Sequence, residues 1–276
     1  MCGIFGFVGS VPPARCAEFH GFLTRLAILA SERGRHATGY AAFWTEDGSS
    51  SACFEWSKAP GDASRFVSGR RWAALRKALP SSLIGHCRYS TGTSPLVNAN
   101  NHPFVGDRFA VTHNGVVRNV TEIVEERDLR LAPWQSRTDS EVILHVSEAA
   151  GEQVAAARDV LRLVEGAASV ATLDLLDGSV AIYTNGLYPL VAVEVPRWRS
   201  TVYASTRSIL CRALLGSTRS DHVGSWGPYR GILTPTRGDL SDSARWQRRA
   251  VERIEDLEAF RVRLLSPYTV AASSAA

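Results

Sequence analysis

The sequence predicts an antiparallel α+β fold that is built in layers. Apolar, strand-like runs occur in groups, and Asp-Gly or Asn-Gly pairs, which are typical of hairpin turns, lie between several of them. Helical patterns occur in separate blocks and do not alternate one for one with strands. Strands that follow one another through short turns favour antiparallel sheets over a parallel, doubly wound sheet.

The first half of the chain supplies strands and one long helix. A helix is predicted over about 15–33 because apolar side chains recur there at helical spacing, and Gly34 is well placed to end it. Asp47-Gly48 predicts the turn of a hairpin. Strands are predicted at 4–8, 39–44, 51–56, 83–90 and 108–113.

The second half begins with helices and continues with strands. The tetrapeptide TDSE at 138–141 matches a capping box, so a helix is predicted to start at Thr138. Residues 169–195 predict three strands of a meander. The two turns of this meander are predicted at Asp177-Gly178 and Asn185-Gly186. Further helices are predicted at 152–165 and 207–215, and the last strand at 201–205.

The composition of the chain changes after Ser217. A stretch rich in Gly, Pro and Thr leads to a predicted amphipathic helix of about twenty residues, which begins at Ser241 and carries Trp246. We therefore predict a main domain over 2–215 and a C-terminal extension over 216–276, which contains this helix and ends in a frayed tail.

Charge and composition exclude several classes of function. The formal net charge is only +4 over 276 residues, and no basic stripe with interleaved aromatic residues is visible, so no nucleic-acid partner is predicted. No run approaches the ~18–20 apolar residues of a membrane span, and no apolar leader precedes Cys2. The five cysteines form no CxxC pair, which predicts a reducing, cytoplasmic setting without metal or cofactor.

Cys2 is the first candidate catalytic residue. Methionine before a small residue is normally removed, and removal of Met1 would give Cys2 both a thiol and a free α-amine. The α-amine titrates at about pH 7.7–8.0, so near neutral pH part of it is unprotonated and can accept the thiol proton. The alternative interpretation is an incidental cysteine near the start of the chain.

The tripeptide HNG at 113–115 has two interpretations. Asn-Gly after a strand is a strong signal for a two-residue hairpin turn. The same pair also suits an oxyanion hole, in which the side-chain amide of Asn114 and the backbone N–H of Gly115 donate to a developing negative charge. The tripeptide alone leaves both interpretations open.

Three polar residues are candidates for binding a substrate. Arg88 can bind a carboxylate through two parallel hydrogen bonds, with Thr91 close by in the sequence, although a surface arginine is the simpler interpretation. Asp139 could pair with a substrate ammonium, or it could interact with a helix dipole. Together with Cys2 and the possible oxyanion hole, these residues describe an amino acid with a side-chain carboxamide, of which glutamine is the obvious one.

Six short motifs also occur in order along the chain. They are MCGIFG (1–6), RGRHATG (33–39), GHCRYSTG (85–92), NNHPF (100–104), HNG (113–115) and TDSEVI (138–143). In order and approximate spacing, these motifs resemble the class II glutamine amidotransferase domains of the N-terminal-nucleophile hydrolases. The resemblance covers about 2–215. This region is similar to the glutaminase domains of glucosamine-6-phosphate synthase and amidophosphoribosyltransferase.

The resemblance implies a four-layer αββα sandwich of two antiparallel sheets, with Cys2 as the nucleophile. By the same resemblance, Asn114 and Gly115 would form the oxyanion hole. Arg88, with help from Thr91, would bind the glutamine α-carboxylate, and Asp139 would bind the α-amine. The implied reaction forms a γ-glutamyl thioester through a tetrahedral oxyanion, releases ammonia and ends with hydrolysis to glutamate.

Three positions depart from the pattern of the family. Relatives usually carry Asp at the position of His36, and many carry Ser at the position of Ala37. Gly92 stands where the synthase branch has a histidine. His36 belongs to the loop that is expected beside the thiol, so it bears on the efficiency of the reaction more than on its type.

The main hypothesis is a glutaminase subunit that hydrolyses L-glutamine and passes the ammonia to a separate synthase chain. About sixty residues follow 215, which we expect to be too few for any of the known synthase domains. A second hypothesis is a hydrolase of another γ-glutamyl amide that uses the same thioester chemistry. A third is a non-catalytic module that senses glutamine.

Overall fold

The computed structural model describes residues 1–45, 52–78, 80–216, 230–233 and 261–265. These ranges contain twelve β-strands and seven α-helices. The strands are β1 (Gly3–Gly9), β2 (Ala37–Thr45), β3 (Ala52–Pro60), β4 (Ser82–Arg88), β5 (Phe104–Val105), β6 (Phe109–Val117), β7 (Gly166–Asp174), β8 (Val180–Thr184), β9 (Val191–Val195), β10 (Ser200–Ala204), β11 (Arg230–Leu233) and β12 (Arg261–Leu265). The helices are α1 (Cys16–Ala30), α2 (Ala63–Val67), α3 (Arg70–Ala78), α4 (Val120–Glu126), α5 (Glu141–Ala150), α6 (Gln153–Leu163) and α7 (Arg207–Leu214).

The strands form two antiparallel sheets. The larger sheet has seven strands in the order β11-β9-β10-β1-β4-β2-β3, and the smaller sheet has five in the order β12-β8-β7-β6-β5. β1 lies between β10 and β4, and all seven of its residues are buried. Cys2 directly precedes β1, so the candidate nucleophile is attached to the middle of the larger sheet.

The alternation of side chains along β1 shows how the sheet is covered on both faces. Successive side chains of a strand point to opposite faces. Phe5 and Phe7 therefore enter a core on the helix side of the sheet, whereas Ile4 and Val8 enter a core between the two sheets. A strand that is buried on both faces needs an uninterrupted apolar run, which residues 4–8 supply.

Three apolar cores stack the elements in four layers. The first core lies between the larger sheet and α1, α2, α3 and α7, and it includes Phe22 and Trp72. The second lies between the two sheets and includes Ile4 and Ile182. The third packs α4, α5 and α6 against the smaller sheet around Val111. This order of helices, sheet, sheet and helices confirms the predicted α+β sandwich.

The first half of the chain contains the predicted strands and the predicted helix, but some of them begin or end at other residues than predicted. β2 and β3 pair as an antiparallel hairpin requires, and the predicted turn at Asp47-Gly48 lies outside the described residues. The predicted helix end at Gly34 is wrong, because α1 ends at Ala30. The hydroxyl of Ser31 donates to a carbonyl oxygen of the last helical turn, and such local side-chain bonds compete with continued helix.

The predicted meander over 169–195 is right for its first turn and wrong for its second. β7 and β8 pair in the smaller sheet, whereas β9 pairs with β10 in the larger sheet. Residues 185–190 therefore carry the chain from one sheet to the other. The local sequence does not distinguish these topologies, because β9 is apolar and largely buried and would suit either sheet.

Residues of the predicted extension add one strand to each sheet. β11 pairs with β9 at the edge of the larger sheet, and β12 pairs with β8 at the edge of the smaller sheet. The predicted helix from Ser241 lies outside the described residues, and the domain boundary at 215 stays a prediction. Within the part of the chain that the structure describes, no helix combines the length and hydrophobicity needed to cross a bilayer.

Two histidines are buried inside the molecule with their rings together. His86 and His102 have ring centroids 4.0 Å apart, and neither ring nitrogen of His102 has a hydrogen-bond partner among the described residues. Burial lowers the pKa of His86 to about 3. Burial also lowers the pKa of His102 well below its ordinary value, and the neighbouring His86 adds to that shift. Both rings are therefore neutral at pH 7.

We expect the protein to lose stability in mild acid. Histidine in the unfolded chain binds a proton near pH 6.5, whereas folded His86 and His102 stay neutral until the pH is much lower. Unfolding therefore takes up protons and becomes easier as the pH falls. The two rings together should lower the free energy of unfolding by about 2 kcal/mol between pH 6.5 and 5.5, as measured by chemical denaturation.

A His102→Phe variant is the control for this pH dependence. The ring nitrogens of His102 have no partner among the described residues, so the substitution removes a titrating group without removing a hydrogen bond. The variant should show a shallower decline in stability between pH 6.5 and 5.5. A decline as steep as that of the wild-type protein would contradict the assignment to these buried rings.

Candidate active site

The thiol of Cys2 contacts the segment that follows β4. The backbone N–H of Tyr89 donates to Sγ of Cys2 at 3.3 Å, and Sγ lies 3.6 Å from the carbonyl oxygen of the same tyrosine. The guanidinium of Arg33 donates through Nε to the carbonyl oxygen of Cys2 at 2.7 Å. Two separate segments of the chain therefore hold the side chain and the main chain of Cys2.

The environment of Cys2 favours the protonated thiol. Burial raises the pKa of the Cys2 thiol, while the hydrogen bond from Tyr89, the amino terminus, Arg88 and Arg33 act against that rise. The net direction is upward, so the thiol carries its proton near neutral pH. Nucleophilic attack by this thiol therefore needs a base that takes the proton.

Asn114 lies in β6 of the smaller sheet and contacts Cys2 across the space between the sheets. Its Oδ1 accepts a hydrogen bond from the backbone nitrogen of Cys2 at 3.2 Å, which orients the amide. The Nδ2 of Asn114 is buried and has no hydrogen-bond partner among the described residues. A buried donor without a partner lowers the stability of the fold. This N–H group can therefore donate to an oxygen atom that binds beside Cys2.

The strand β6 passes through Asn114 and Gly115 without a turn. It pairs with β7 along its whole length, with Gly115 opposite Ala168. The hairpin interpretation of HNG is therefore wrong, because both residues belong to a continuous strand. A Cβ atom at Gly115 would come within 1.8 Å of the carbonyl oxygen of Ala167, so this close approach of two strands requires glycine.

Arg88 ends β4 and is only 5% exposed. Its Nη1 donates to Oδ1 of Asn101 at 2.8 Å, and its Nη2 donates to the hydroxyl and the carbonyl oxygen of Thr93. Burial lowers the pKa of Arg88, whereas the Cys2 thiol and the Asp139 carboxylate raise it. Arg88 is therefore within electrostatic reach of both Cys2 and Asp139.

Thr91 lies in the loop after β4, three residues beyond Arg88. Its side chain is exposed, and it is Thr93 whose hydroxyl contacts the guanidinium. The contribution of Thr91 to binding a carboxylate stays a prediction.

Asp139 lies in the segment that precedes α5. Its Oδ2 accepts a hydrogen bond from the backbone nitrogen of Val117, the last residue of β6, at 2.7 Å. The carboxylate is thereby attached to the strand that carries Asn114. The structure thus brings Cys2, Asn114, Arg88 and Asp139 to one region, and their individual roles stay predictions.

The helix α5 begins at Glu141, and the predicted capping box at 138–141 is wrong. The N-cap residue Ser140 makes no side-chain capping hydrogen bond. The carboxylate of Glu141 instead accepts hydrogen bonds from the backbone nitrogens of Gln135 and Ser136, at 2.6 and 2.7 Å. The glutamate therefore fastens the segment before the helix, which is the segment that carries the candidate substrate-binding aspartate.

The loop after α1 packs against the residues that contact the thiol. The backbone nitrogen of His36 donates to the carbonyl oxygen of Arg88 at 3.0 Å, and Nδ1 of His36 accepts from the backbone nitrogen of Ser90 at 2.9 Å. The His36 ring stacks on the ring of Tyr89. A Cβ atom at Gly34 would come within 2.4 Å of the carbonyl carbon of Arg88, so this packing requires glycine.

Sequence reasoning missed five residues that support the predicted ones, namely Arg33, Tyr89, Thr93, Asn101 and Glu141. Four of them lie within the motifs RGRHATG, GHCRYSTG, NNHPF and TDSEVI, so membership of a motif was the signal that could have found them. Thr93 lies outside every motif, and its contact with Arg88 is visible only in the structure.

Two general properties of the site concern metals and thiols. The described ranges contain no group of three His, Cys, Asp or Glu side chains that could hold a metal ion. All five cysteines of the chain carry free thiols.

Comparison with a family model finds a related domain within this chain. Residues 86–212 match the model described as a glutamine amidotransferase domain. The match includes the segments that carry Arg88, Asn114 and Asp139. Residues 86–212 are therefore similar to a glutamine amidotransferase domain, which agrees with the resemblance found in the sequence.

Individual relatives are bacterial enzymes. Glutamine–fructose-6-phosphate aminotransferase (isomerizing) of Halalkalibacterium halodurans is 28% identical over 209 residues, which cover 69% of this chain and 30% of the relative. The enzyme of the same name from Symbiobacterium thermophilum is 31% identical over 140 residues, which cover 45% of this chain and 23% of the relative. The chain thus spans about a third or less of the length of these curated relatives.

Solved structures share the fold. Glutamine phosphoribosylpyrophosphate amidotransferase from B. subtilis matches with a TM-score of 0.56 and 21% identity, over 77% of this chain and 43% of that chain. A structure described as the allosteric regulatory enzyme of purine biosynthesis matches with a TM-score of 0.56 and 20% identity, with the same coverage of 77% and 43%. This likeness shows the arrangement of two antiparallel sheets and flanking helices.

We expect Glu141→Gln to loosen the segment that carries Asp139. Burial would raise the pKa of Glu141, but the neighbouring His145 and the hydrogen bonds from the backbone nitrogens of Gln135 and Ser136 outweigh it and lower the pKa to about 2. A glutamine at this position turns an NH₂ group toward one backbone N–H and leaves that donor unpaired. The free energy of unfolding should fall by about 2 kcal/mol, and amide exchange over 135–140 should become faster.

Glu152→Gln is the matched control for this prediction. Glu152 also accepts hydrogen bonds from two backbone nitrogens, those of Val154 and Ala155, but it is exposed at the start of α6. Water can replace a lost hydrogen bond there, so stability should change by less than about 1 kcal/mol. Equal losses in the two variants would show that burial of Glu141 has no special effect.

Proposed function

We propose that this domain hydrolyses L-glutamine to glutamate and ammonia through a γ-glutamyl thioester on Cys2. The observation that carries the proposal is the amide of Asn114. Its Oδ1 accepts from the nitrogen of Cys2, and its buried Nδ2 has no partner among the described residues. A donor that is oriented in this way beside a thiol suits a carbonyl oxygen that becomes negative during attack on a carboxamide.

In the proposed reaction, removal of Met1 frees the α-amine of Cys2, which takes the thiol proton. Sγ then attacks the carboxamide carbon, and the carbonyl oxygen becomes negative beside Nδ2 of Asn114 and the N–H of Gly115. When this intermediate collapses, the C–N bond breaks and the α-ammonium returns the proton to the departing ammonia. Water then attacks the thioester, the C–S bond breaks, and glutamate and the free thiol result.

Two charged residues are proposed to bind the α-carbon substituents of glutamine. The buried cation Arg88 suits the α-carboxylate, which would replace the contact of Nη2 with Thr93. Asp139 suits the α-ammonium, because its carboxylate is already oriented by the backbone of Val117. Thr91, exposed in the adjoining loop, is proposed to add a hydrogen bond to the carboxylate once glutamine is bound.

A separate synthase chain is proposed as the acceptor of the ammonia. The curated relatives are named as aminotransferases, and the region similar to this chain takes up about a third or less of their length. In this chain, 230–233 and 261–265 pair with the two sheets of the domain, so these residues extend its fold. The cytoplasmic location and the lack of a cofactor stay predictions.

Cys2→Ala should abolish the release of glutamate from glutamine, because no thioester can form. A coupled glutamate assay on protein whose Met1 is confirmed as removed measures the rate, and intact-mass analysis detects the acyl adduct. The control is Cys16→Ala, which removes a thiol outside the site and should leave the rate unchanged. Glutamate release by the Cys2→Ala variant at the wild-type rate would exclude the thioester.

The products of the wild-type reaction test the acceptor and the alternative functions. With glutamine and fructose 6-phosphate present, we expect free ammonia equal to the glutamate formed and no amino sugar. Amination of the sugar phosphate by the purified chain would contradict a separate acceptor chain. Faster turnover of another γ-glutamyl amide would favour the second hypothesis, and failure to turn over any of them would favour the sensing module.

Asn114→Asp should lower kcat by about 10²–10³-fold with a smaller change in KM, because it removes the oxyanion donor and keeps the shape of the side chain. The matched control is Asn119→Asp. Like Asn114, Asn119 accepts from one backbone nitrogen, but its amide nitrogen already donates to a carbonyl oxygen and it lies at the start of α4. The control should lose stability without the loss of kcat, and a similar kcat for both variants would contradict the oxyanion hole.

A further inference from the structure

The environment of the Cys2 thiol contains one hydrogen bond that depends on the position of a short, unpaired segment. The backbone N–H of Tyr89 donates to Sγ of Cys2 at 3.3 Å. A donor of this kind stabilises the thiolate more than the thiol, because the thiolate is the stronger acceptor. The position of Tyr89 therefore affects how easily Cys2 loses its proton.

The strand β4 ends at Arg88, so Tyr89 and Ser90 have no neighbouring strand to position them. His36, in the loop after α1, positions these two residues instead. Its backbone nitrogen donates to the carbonyl oxygen of Arg88 at 3.0 Å, just before Tyr89. Its Nδ1 accepts from the backbone nitrogen of Ser90 at 2.9 Å, just after Tyr89.

The ring of His36 also packs on the side chain of Tyr89. The two ring centroids are 5.1 Å apart and the planes are inclined by 25°, which is a stacked arrangement. His36 thus contacts the residue before Tyr89, the residue after it and its ring. Main-chain rotation of Tyr89 away from Cys2 would break at least one of these three contacts.

The contact with Ser90 determines the proton position on the imidazole. Because Ser90 N–H is the donor, Nδ1 of His36 is an acceptor, and the proton of the neutral ring is on Nε2. A side chain without an acceptor at this position cannot hold Ser90, even if it keeps an aromatic ring. This separates the hydrogen bond from the stacking contact and makes the two testable by different substitutions.

We propose that His36 is a positioning residue that holds the Tyr89 N–H against the Cys2 thiol and thereby supports ionisation of the nucleophile. The inference rests on the proposed function of Cys2. His36 does not touch the substrate in this account, so its effect should appear in thiol reactivity and kcat and much less in KM. The other groups that act on the thiol, namely the amino terminus, Arg33 and Arg88, are left unchanged in the test.

The test compares His36→Phe with His36→Asn. The phenylalanine keeps an aromatic ring on Tyr89 and removes the acceptor, whereas the asparagine keeps an acceptor and removes the ring. The rate of alkylation of Cys2 by iodoacetamide is followed from pH 6 to 10 by peptide mass spectrometry, together with kcat and KM for glutamine. Arg35→Gln, a change at the exposed neighbour in the same loop, is the control.

We expect His36→Phe to lower the alkylation rate at pH 7 and kcat by about tenfold, with less than about a threefold change in KM, as the loss of one hydrogen bond to a charged group implies. His36→Asn and Arg35→Gln should stay within about threefold of the wild-type protein. An unchanged alkylation profile in His36→Phe, an effect on KM alone, or an equal loss in His36→Asn would overturn the proposal.

Two further readouts keep this result independent of folding and of the proposed function. Amide exchange of Ser90 in the wild-type protein should be slow because its N–H is bonded, and exchange at the rate of an open loop would overturn the proposal without any variant. A wild-type protein that alkylates at Cys2 but releases no glutamate would contradict the proposed function, and the alkylation profiles would still decide the role of His36.

Discussion

The hydrogen bond from the backbone nitrogen of Cys2 to Oδ1 of Asn114 joins the two sheets at the candidate site. Cys2 directly precedes the central strand of the larger sheet, and Asn114 lies in the smaller sheet. Facing sheets stand about 10 Å apart, and the side chains between them set that distance. The packing of apolar residues such as Ile4 and Ile182 therefore determines where the amide lies relative to the thiol.

The loop over 93–103 is held by the buried cation Arg88 and the half-buried cation Lys58. Arg88 donates to the side chain of Asn101, and Nζ of Lys58 donates to the carbonyl oxygens of Asn101 and Pro103, at 2.7 and 3.0 Å. Burial lowers the pKa of Lys58 to about 8. A buried cation that loses its partners is strongly destabilising, so the contact of Arg88 with Asn101 favours a single arrangement of this loop.

Two short motifs show why a local pattern can predict the wrong conformation. The Asn-Gly pair at 114–115 has a strong preference for turns, but pairing with β7 along the whole strand outweighs it. The glutamate of the TDSE motif is placed for a capping box, but its carboxylate binds two backbone nitrogens that precede the motif. In both cases the deciding partner lies outside the motif, where a pattern of four residues carries no information.

The sequence by itself determined the class of fold and the choice of residues for the candidate site. Grouped apolar runs with hairpin turns and separate helical blocks predicted a layered antiparallel α+β fold, and the family resemblance implied the sandwich. Cys2, Arg88, Asn114 and Asp139 were identified as candidates by residue type and motif. Only the tertiary structure decided that β9 joins the larger sheet and that residues after 216 add strands to both sheets. It also revealed the contacts of His36, because strand partners and loop contacts depend on burial and hydrogen bonds between residues far apart in the chain.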